Sequence, residues 1–421
     1  MSPDHDIENS GDKAAHLAAD HGTATIVDEA EPIGTPSRKA YMGLAVFVVA
    51  LLFLPVVAGH VGDSWVRILD FALLYIMLAL GLNIVVGFAG LLDLGYIAFY
   101  AIGAYMCALL ASPQFATVLQ SFVDTYPALG HWMVGVFGPE IVKNGIHLPV
   151  WIIVPLAGAL AATFGVILGA PTLKLRGDYL AIVTLGFGEI IRIFMNNLNA
   201  PVNITNGPQG ILNIDPVKVD GVSFGKPAVI FGLDVSVVQL YYYLFLFLVV
   251  IIVFFCIRLQ NSRIGRAWVA IREDEIAAKA MGINTRNIKL LAFAMGASFG
   301  GVSGAMFSSF QGFVSPESFG LLESIVVLAM VVLGGMGHIP GVILGGVLLA
   351  AFPEVLRHVV VPIQQTLFGH VIVDAEIIRQ LLYGLAMVGI MLFRPAGLWP
   401  APEHGKGLGG IKARRSAAEG A

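Results

Sequence analysis

The side chains able to do chemistry within the apolar runs of this chain gather around Glu189 and Arg192. They are three residues apart, so a helix puts them on one face and within reach of an ion pair. Thr184, Gly186 and Gly188 lie just before them, and Asn83 is a second polar point inside an apolar run. A carboxylate in such surroundings can hold a proton or cation, or line and gate a polar route for a solute. It can equally lock helix packing through the Glu189–Arg192 pair, and both readings stay open. Asn83 is read more simply as an interhelical hydrogen bond, just before the glycine-rich break Gly87-Phe-Ala-Gly90. Gly186 and Gly188 each cost about 1 kcal/mol in helix propensity against alanine. Such backbone is acceptable at membrane depth where it lines a cavity or meets another helix.

Nothing else in the chain is arranged for catalysis. Cys107 and Cys256 both fall in apolar runs and form no metal-ligand or disulfide framework. There is no G-x-x-x-x-G-K-[ST] run, no His/Glu metal-ligand spacing and no nucleophile elbow. The expectation is a non-enzymatic chain with no catalytic residue, metal site, cofactor or nucleic-acid partner of its own.

The elements that must position these residues are membrane helices. The 421 residues are 57% hydrophobic and only 12% charged, far from the roughly 25% charged content of a soluble domain. A bilayer core of about 30 Å needs about 20 apolar residues per helix. Ten candidate spans follow: 41–58, 67–87, 94–111, 149–171, 178–197, 239–257, 288–309, 321–336, 339–357 and 376–393. The fold class expected is all-α, polytopic, with a transmembrane domain over 41–397. Asp178 opens its span as a cap, and Glu189, eleven residues on, lies about 16 Å along the helix, near the bilayer midplane. An acid there is costly unless it is paired or faces water.

Charge sets the orientation. Arg38 and Lys39, Lys174 and Arg176, the loop 258–287, and Arg394, Lys406, Lys412, Arg414 and Arg415 all fall on one side of a ten-span chain, which the positive-inside rule makes the cytoplasmic side. The long loops 112–148 and 198–238 then lie outside. Residues 1–40 carry eight acids against three basic residues and few large apolar ones, which predicts a disordered acidic cytoplasmic tail. This tail lacks the basic and apolar regions of a cleaved signal peptide. Residues 398–421 read as a basic cytoplasmic tail.

Small residues recur every four positions at Gly296, Gly300 and Gly304, a spacing that lets helices approach closely in lipid. A weak internal echo is also visible. Gly87-Phe-Ala-Gly90 then Gly95 resembles Gly334-Gly-Met-Gly337 then Gly341, and Glu189-Ile-Ile-Arg192 recurs as Glu376-Ile-Ile-Arg379. Transporters often contain repeats of this kind.

The loop from Arg258 to Lys289 carries seven basic residues and its own helix punctuation. Asp274 suits an N-cap, Glu275 falls in the first turn, and Gly282 follows Met281 as a stop. A folded loop offered to the cytosol is either a topological linker or a docking element for a soluble partner.

Several strings together resemble the LivM-type permease subunit of branched-chain amino acid ABC importers. They are G81-LNIVVGFAGLLDLGYIAFYAIGAY-M106, L173-KLRGDYLAIVTLGFGEIIR-I193, I264-GRAWVAIREDEIAAKAMGI-N284, Q311-GFVSPESF-G320, V331-VLGGMG-H338 and R394-PAGLW-P400, in the family's order. The resemblance implies an ABC importer permease fold, partnered by a second homologous permease, two cytoplasmic ATPases that bind the ATP, and a periplasmic amino-acid-binding protein. It makes 264–284 the coupling region, with Arg266, Trp268, Arg272, Glu273, Asp274, Glu275, Ala277, Ala278 and Gly282 as candidate ATPase-coupling residues. Trp268, Ile271, Ala277, Ala280 and Met281 are expected to present the apolar surface, ringed by Arg266, Arg272, Glu273, Asp274 and Glu275. Asn83, Thr184, Gly186, Gly188 and Glu189 become candidate pathway residues. The loop departs from the E-A-A-x-x-x-G pattern of other importer classes, because Ile276 stands where the Glu would be. The implied function is inward transport of leucine, isoleucine and valine across a bacterial inner membrane. The rivals are an importer of the same class for urea or short amides, and an ion-coupled secondary transporter using Glu189.

Overall fold

The computed structural model describes residues 38–175, 177–219, 221–230, 233–368, 375–393 and 397–399. The expectations for residues 1–37 and 400–421, for Arg176 and Arg394, and for the side chains of Glu376 and Arg379, lie outside the described residues. Two units are distinguished, Met1–Phe53 and Leu54–Ala421. The described part of the first is the opening of helix α1, Arg38–Val61.

The second unit is mostly helical. After α1 come α2, Asp63–Asn83, which runs on into a π-helical turn at Ile84–Phe88, and α3, Ile97–Leu110. The loop expected over 112–148 contains α4, Gln114–Thr125, α5, Pro127–Phe137, and α6, Pro139–Asn144. Then follow α7, Val150–Thr172, α8, Asp178–Asn197, and α9, Val237–Gln260. The charged loop folds as α10, Arg263–Glu273, and α11, Glu275–Ala280. The chain continues with α12, Thr285–Gln311, α13, Leu321–Gly334, α14, Ile339–Phe368, and α15, Ala375–Phe393. A few two- and three-residue antiparallel ladders decorate the long connections; for example, Ile211–Leu212 pairs with Phe313–Val314.

Each of the ten expected spans contains a helix at its place. Among the described residues, five helices are long and apolar enough to cross a bilayer: Asp63–Phe88, Val150–Thr172, Val237–Gln260, Thr285–Gln311 and Pro316–Gly334. Val48–His60, Ile97–Leu110 and Ile339–Pro353 are shorter apolar stretches.

The most enclosed of the five is α2 with its π-turn, whose apolar window is 89% buried. Around it α12 packs against α3 and α7, and the stripe on α12 explains how closely. A methyl on Gly304 would overlap the Tyr100 carbonyl, one on Gly300 would crowd Phe99 and Tyr96, and one on Gly296 would press on Val85 and the Gly81 carbonyl. The stripe is thus taken up inside the bundle, against α2 and α3. Tyr96 adds a directional tie, its hydroxyl donating to the Gly296 carbonyl at 2.8 Å.

One cap differs from expectation. Gly177, at φ +56°, holds the N-cap of α8, and Asp178 is the first helical residue with no side-chain cap bond. The left-handed backbone at that position favours glycine, which moves the cap one residue upstream.

Candidate functional site

The α10–α11 pair is built by three local caps. Ser262 Oγ accepts from the Gly265 N–H at 3.1 Å, starting α10. Asp274 ends α10 and starts α11, its Oδ1 accepting from the N–H groups of Ile276 at 2.7 Å and Ala277 at 3.1 Å. Gly282, at φ +83°, turns the chain out of α11, and Asn284 caps α12 through the Asn287 N–H at 3.2 Å. Each cap satisfies a donor that the first turn of a helix leaves without a partner.

Which face of the pair is held and which is offered differs from expectation. Trp268 is fully buried, and its Nε1 donates to the Ile288 carbonyl at 2.7 Å. Ile271 and Ala278 are buried too. Trp268 and Ile271 were expected on a partner-facing surface, and this is corrected: they are internal anchors. The physical reason is that an amphipathic helix lying on a bundle buries its aromatic stripe against that bundle first.

Arg272 is exposed, but its guanidinium reaches inward. Its Nη1 donates to the Gly87 carbonyl, 185 residues away in sequence. Its aliphatic stem packs against Gly90, and Nη1 lies against Gly337. Glu275 Oε2 is paired with Lys289 Nζ at 2.8 Å, and Oε1 with Lys279 Nζ at 3.3 Å. Thr285 Oγ1 donates to Oε1 at 3.4 Å. The hydrogen bond from Lys289, and then the charges of Lys289 and Lys279, hold the Glu275 carboxyl below its ordinary range against the opposing effect of burial. The surface that remains outward carries Arg266, Val269, Glu273, Asp274, Ala277, Lys279, Ala280 and Gly282 with part of Arg272, and Ile276 is 71% and Met281 82% exposed.

This gives a pH dependence of definite sign. A carboxyl depressed in the fold adds stability above its unfolded value and loses it as pH falls through the folded one. Acidification below the carboxylate range should therefore loosen α11, and at neutral pH the contribution is complete. Replacing Glu275 with Gln leaves Lys289, largely buried, without its anion, at a cost of roughly 1–3 kcal/mol. Hydrogen exchange across 275–289 is expected to be faster in Glu275→Gln at pH 7 and to lose its acid-induced rise. Identical exchange in both proteins at both pH values would contradict the pairing.

Arg272 reaches the place where two breaks meet. Asn83 Oδ1 accepts from the Gly337 N–H at 2.8 Å, and a methyl on Gly87 would overlap both groups. The two glycine strings that echo each other in sequence thus touch in space. Gly397–Trp399 closes over the second break, with the N–H groups of Leu398 and Trp399 donating to the carbonyls of Leu333 at 2.8 Å and Gly334 at 3.1 Å. The π-turn falls at the first break, and such turns often mark functional sites in helices.

The five pathway candidates separate. Asn83 belongs to the meeting of the breaks. Thr184 is buried and its Oγ1 accepts from the Leu94 N–H at 3.0 Å. Gly188 packs on Gly95, whose own close approach to the Thr184 carbonyl leaves no room for a side chain. Gly186 has open space at its Cα. Glu189 is half-buried and paired with Arg192 Nε at 3.0 Å. Arg192 is shared, its Nη1 lying 3.2 Å from Glu317 Oε2, with Asn196 Nδ2 at 3.5 Å from Glu317 Oε1.

Two acids were missed. Asp70 is fully buried in α2 with neither carboxyl oxygen hydrogen-bonded. Asp93 is 2% exposed, Oδ1 accepting from the Gly95 N–H at 2.9 Å and Oδ2 unpartnered. The sequence carries the same signal for both as for Glu189, an acid in or beside an apolar run.

Comparison with known proteins bears on what this arrangement does. Residues 64–391 match the family model described as branched-chain amino acid transport system / permease component. Over 367 residues the chain is 41% identical to the high-affinity branched-chain amino acid transport system permease protein LivM of Escherichia coli K12, covering 84% of this chain and 74% of that one. LivM of Salmonella typhimurium is 41% identical over 379 residues, 87% of this chain and 76% of the relative. The permease protein LivH of Salmonella typhimurium is 25% identical over 278 residues, covering 65% and 79%. No solved structure matches.

Proposed function

The chain belongs to the LivM family of branched-chain amino acid transport permeases, and from this we propose that it is the membrane subunit of an ATP-driven importer. The family consists of multi-pass membrane transport components rather than enzymes. The cargo is leucine, isoleucine and valine, moved inward across the bacterial inner membrane. The chain crosses the membrane ten times, keeps both termini and α10–α11 in the cytoplasm, and relies on two separate ATPases for ATP and on a periplasmic binding protein for affinity. A second, homologous permease completes the membrane part, a reading supported by the similarity to both LivM and LivH. Tyr179, Ile182, Ile190, Ile193 and Phe194 give α8 an exposed apolar face suited to lipid or to that second permease.

The observation that carries this reading is the α10–α11 pair. It is tied inward by Trp268, Arg272 and Lys289 while Ile276 and Met281 stand out on ordered, charged backbone. Exposed apolar groups in an ordered charged segment mark an interaction surface. The relatives' names support branched-chain amino acids over urea or short amides, and the Glu189–Arg192–Glu317 cluster supports a structural tie over a free ion-coupling site.

The test is co-expression of the tagged chain with its neighbouring permease and ATPases. Both ATPases should be recovered, and proteoliposome uptake of leucine should require ATP and the binding protein. Robust proton-driven uptake by the single chain would contradict the proposal.

A further inference from the structure

The connection between α3 and α7 contains a stretch that neither the transport reading nor the α10–α11 pair uses. From Thr125 to Pro139 it carries no Asp, Glu, Lys or Arg, and charge resumes on either side at exposed Asp124 and Glu140. Within it α5 buries Gly130 against α4, where a methyl would overlap the backbone of Val123. Leu129, Trp132 and Val136, spaced i, i+3 and i+7, share a face turned away from Gly130. All three are exposed, Trp132 at 65% and Val136 at 60%, and so is Tyr126 just before the helix. A helix of 11 residues is about 16 Å long, too short to cross a bilayer core of about 30 Å. An apolar segment of this length is ordinarily a buried core helix or an interfacial one. Three exposed large apolar side chains exclude the first.

We propose that α5 is an interfacial anchor, lying along the membrane surface opposite α10–α11 with Leu129, Trp132 and Val136 set among lipid headgroups and the upper acyl chains. Its depth follows from α4, which is tied to the chain just beyond α8. Thr125 Oγ1 donates to the Pro201 carbonyl at 3.0 Å, Gln114 Nε2 to the Ile204 carbonyl at 3.3 Å, and the Asn203 N–H to Ser121 Oγ at 2.9 Å. The 20 residues of α8 extend about 30 Å. Their first, Asp178, lies beside α10–α11, lining one cavity with Arg272 and Glu275, so their last reaches the far edge of the bilayer core. There α4 sits, with α5 packed upon it, where acyl chains give way to headgroups. The side chains suit that boundary, at which Trp and Tyr gather with an apolar body in lipid and a polar tip toward water. Trp151, at the start of α7, is exposed too, just after the ladder that joins Ile146–His147 to Ala111–Ser112 at the end of α3. A protein partner on this face would call for about one hydrogen bond per 100–200 Å². Leu129, Trp132 and Val136 offer a single indole N–H between them, and lipid asks for no more.

The test is nitroxide accessibility on the full-length chain in lipid nanodiscs. Asp124→Cys, Trp132→Cys, Val136→Cys and Glu140→Cys are made singly, each with Cys107→Ala and Cys256→Ala, and spin-labelled. Oxygen, which partitions into lipid, should relax the labels at 132 and 136 more than a water-soluble nickel chelate does, and the order should reverse at 124 and 140. The native cysteines are buried, so a second measurement leaves them in place: tryptophan emission in nanodiscs of lipid brominated near the headgroup end of its acyl chains. Trp132→Phe should lose at least the one-fifth share of the quenching that one tryptophan of five carries. The proposal is overturned if the nickel chelate prevails at 132 and 136, which puts the face in water. It is overturned equally if neither reagent reaches those positions once the second permease is co-assembled, which makes the occupant a protein. Equal quenching of the wild type and Trp132→Phe also sinks it.

Discussion

Arg272→Ala is expected to reduce ATP-dependent leucine uptake by the assembled transporter about tenfold or more while the ATPases still co-purify. The guanidinium is the direct hydrogen bond between α10 and the first break, and it also lies against Gly337 of the second. Movement imposed on α10–α11 by an ATPase would reach both breaks through this one side chain. Alanine leaves the Gly87 carbonyl without its donor and removes the stem packed on Gly90, while Ile276, Ala277 and Met281 on the outward surface of α11 keep their side chains. Lysine keeps a charge and part of the stem but lacks the second nitrogen, so Arg272→Lys should recover uptake only in part. The informative quantity is the ratio of ATP hydrolysed to leucine moved, which should rise in Arg272→Ala. Parallel loss of ATPase recovery and uptake would instead make Arg272 a contact of the ATPase, the rim role that its sequence position suggests.

Ala277→Trp should act at the other end of the same device. Ala277 is exposed beside Ile276, on the side of α11 away from the Glu275–Lys289 pair. Ala277 is exposed, so a tryptophan there should let the permease insert and fold normally. A partner groove shaped for alanine would be overfilled, and central interface positions commonly carry 2 kcal/mol or more, about thirtyfold in affinity. ATPase recovery and uptake should fall together. Ile276→Asp should reproduce the effect by burying a charge where an apolar side chain fitted. A linker without a partner would tolerate both changes within about 0.5 kcal/mol, so normal recovery with Ala277→Trp would return α10–α11 to being a tether.

Much of the candidate site was legible because capping chemistry is local. Asp274 reaches donors two and three residues ahead, Gly282 turns the chain next to the residue it stops, and Glu189 and Arg192 meet one helical turn apart. The helices themselves were legible for a related reason: apolar length is imposed by the bilayer, and each residue meets that demand independently of the others. Gly177 shows the limit even here, since the cap moved by one residue for a backbone angle that composition does not reveal.

Faces and partners were another matter. Periodicity says that α10 is amphipathic, yet it cannot say whether Trp268 points to the bundle or to a visitor, because either burial satisfies the same pattern. Arg272 finds its acceptor 185 residues upstream, and Asn83 its donor 254 residues downstream. Arg192 shares its charge with Glu317, far along the chain. The chain's own residues determined, by local spacing and apolar length, that this is a membrane-embedded helical protein with a folded, capped, charged loop, and its strings of residues carried the resemblance to the LivM family. Only the tertiary structure decided that the loop's arginine faces the two breaks and that its glutamate is held by Lys289. It likewise decided that a cavity of mixed charge lies between loop and breaks. The physical reason is that hydrogen bonds and ion pairs depend on distances of a few ångströms in space, and across hundreds of residues only packing sets those distances.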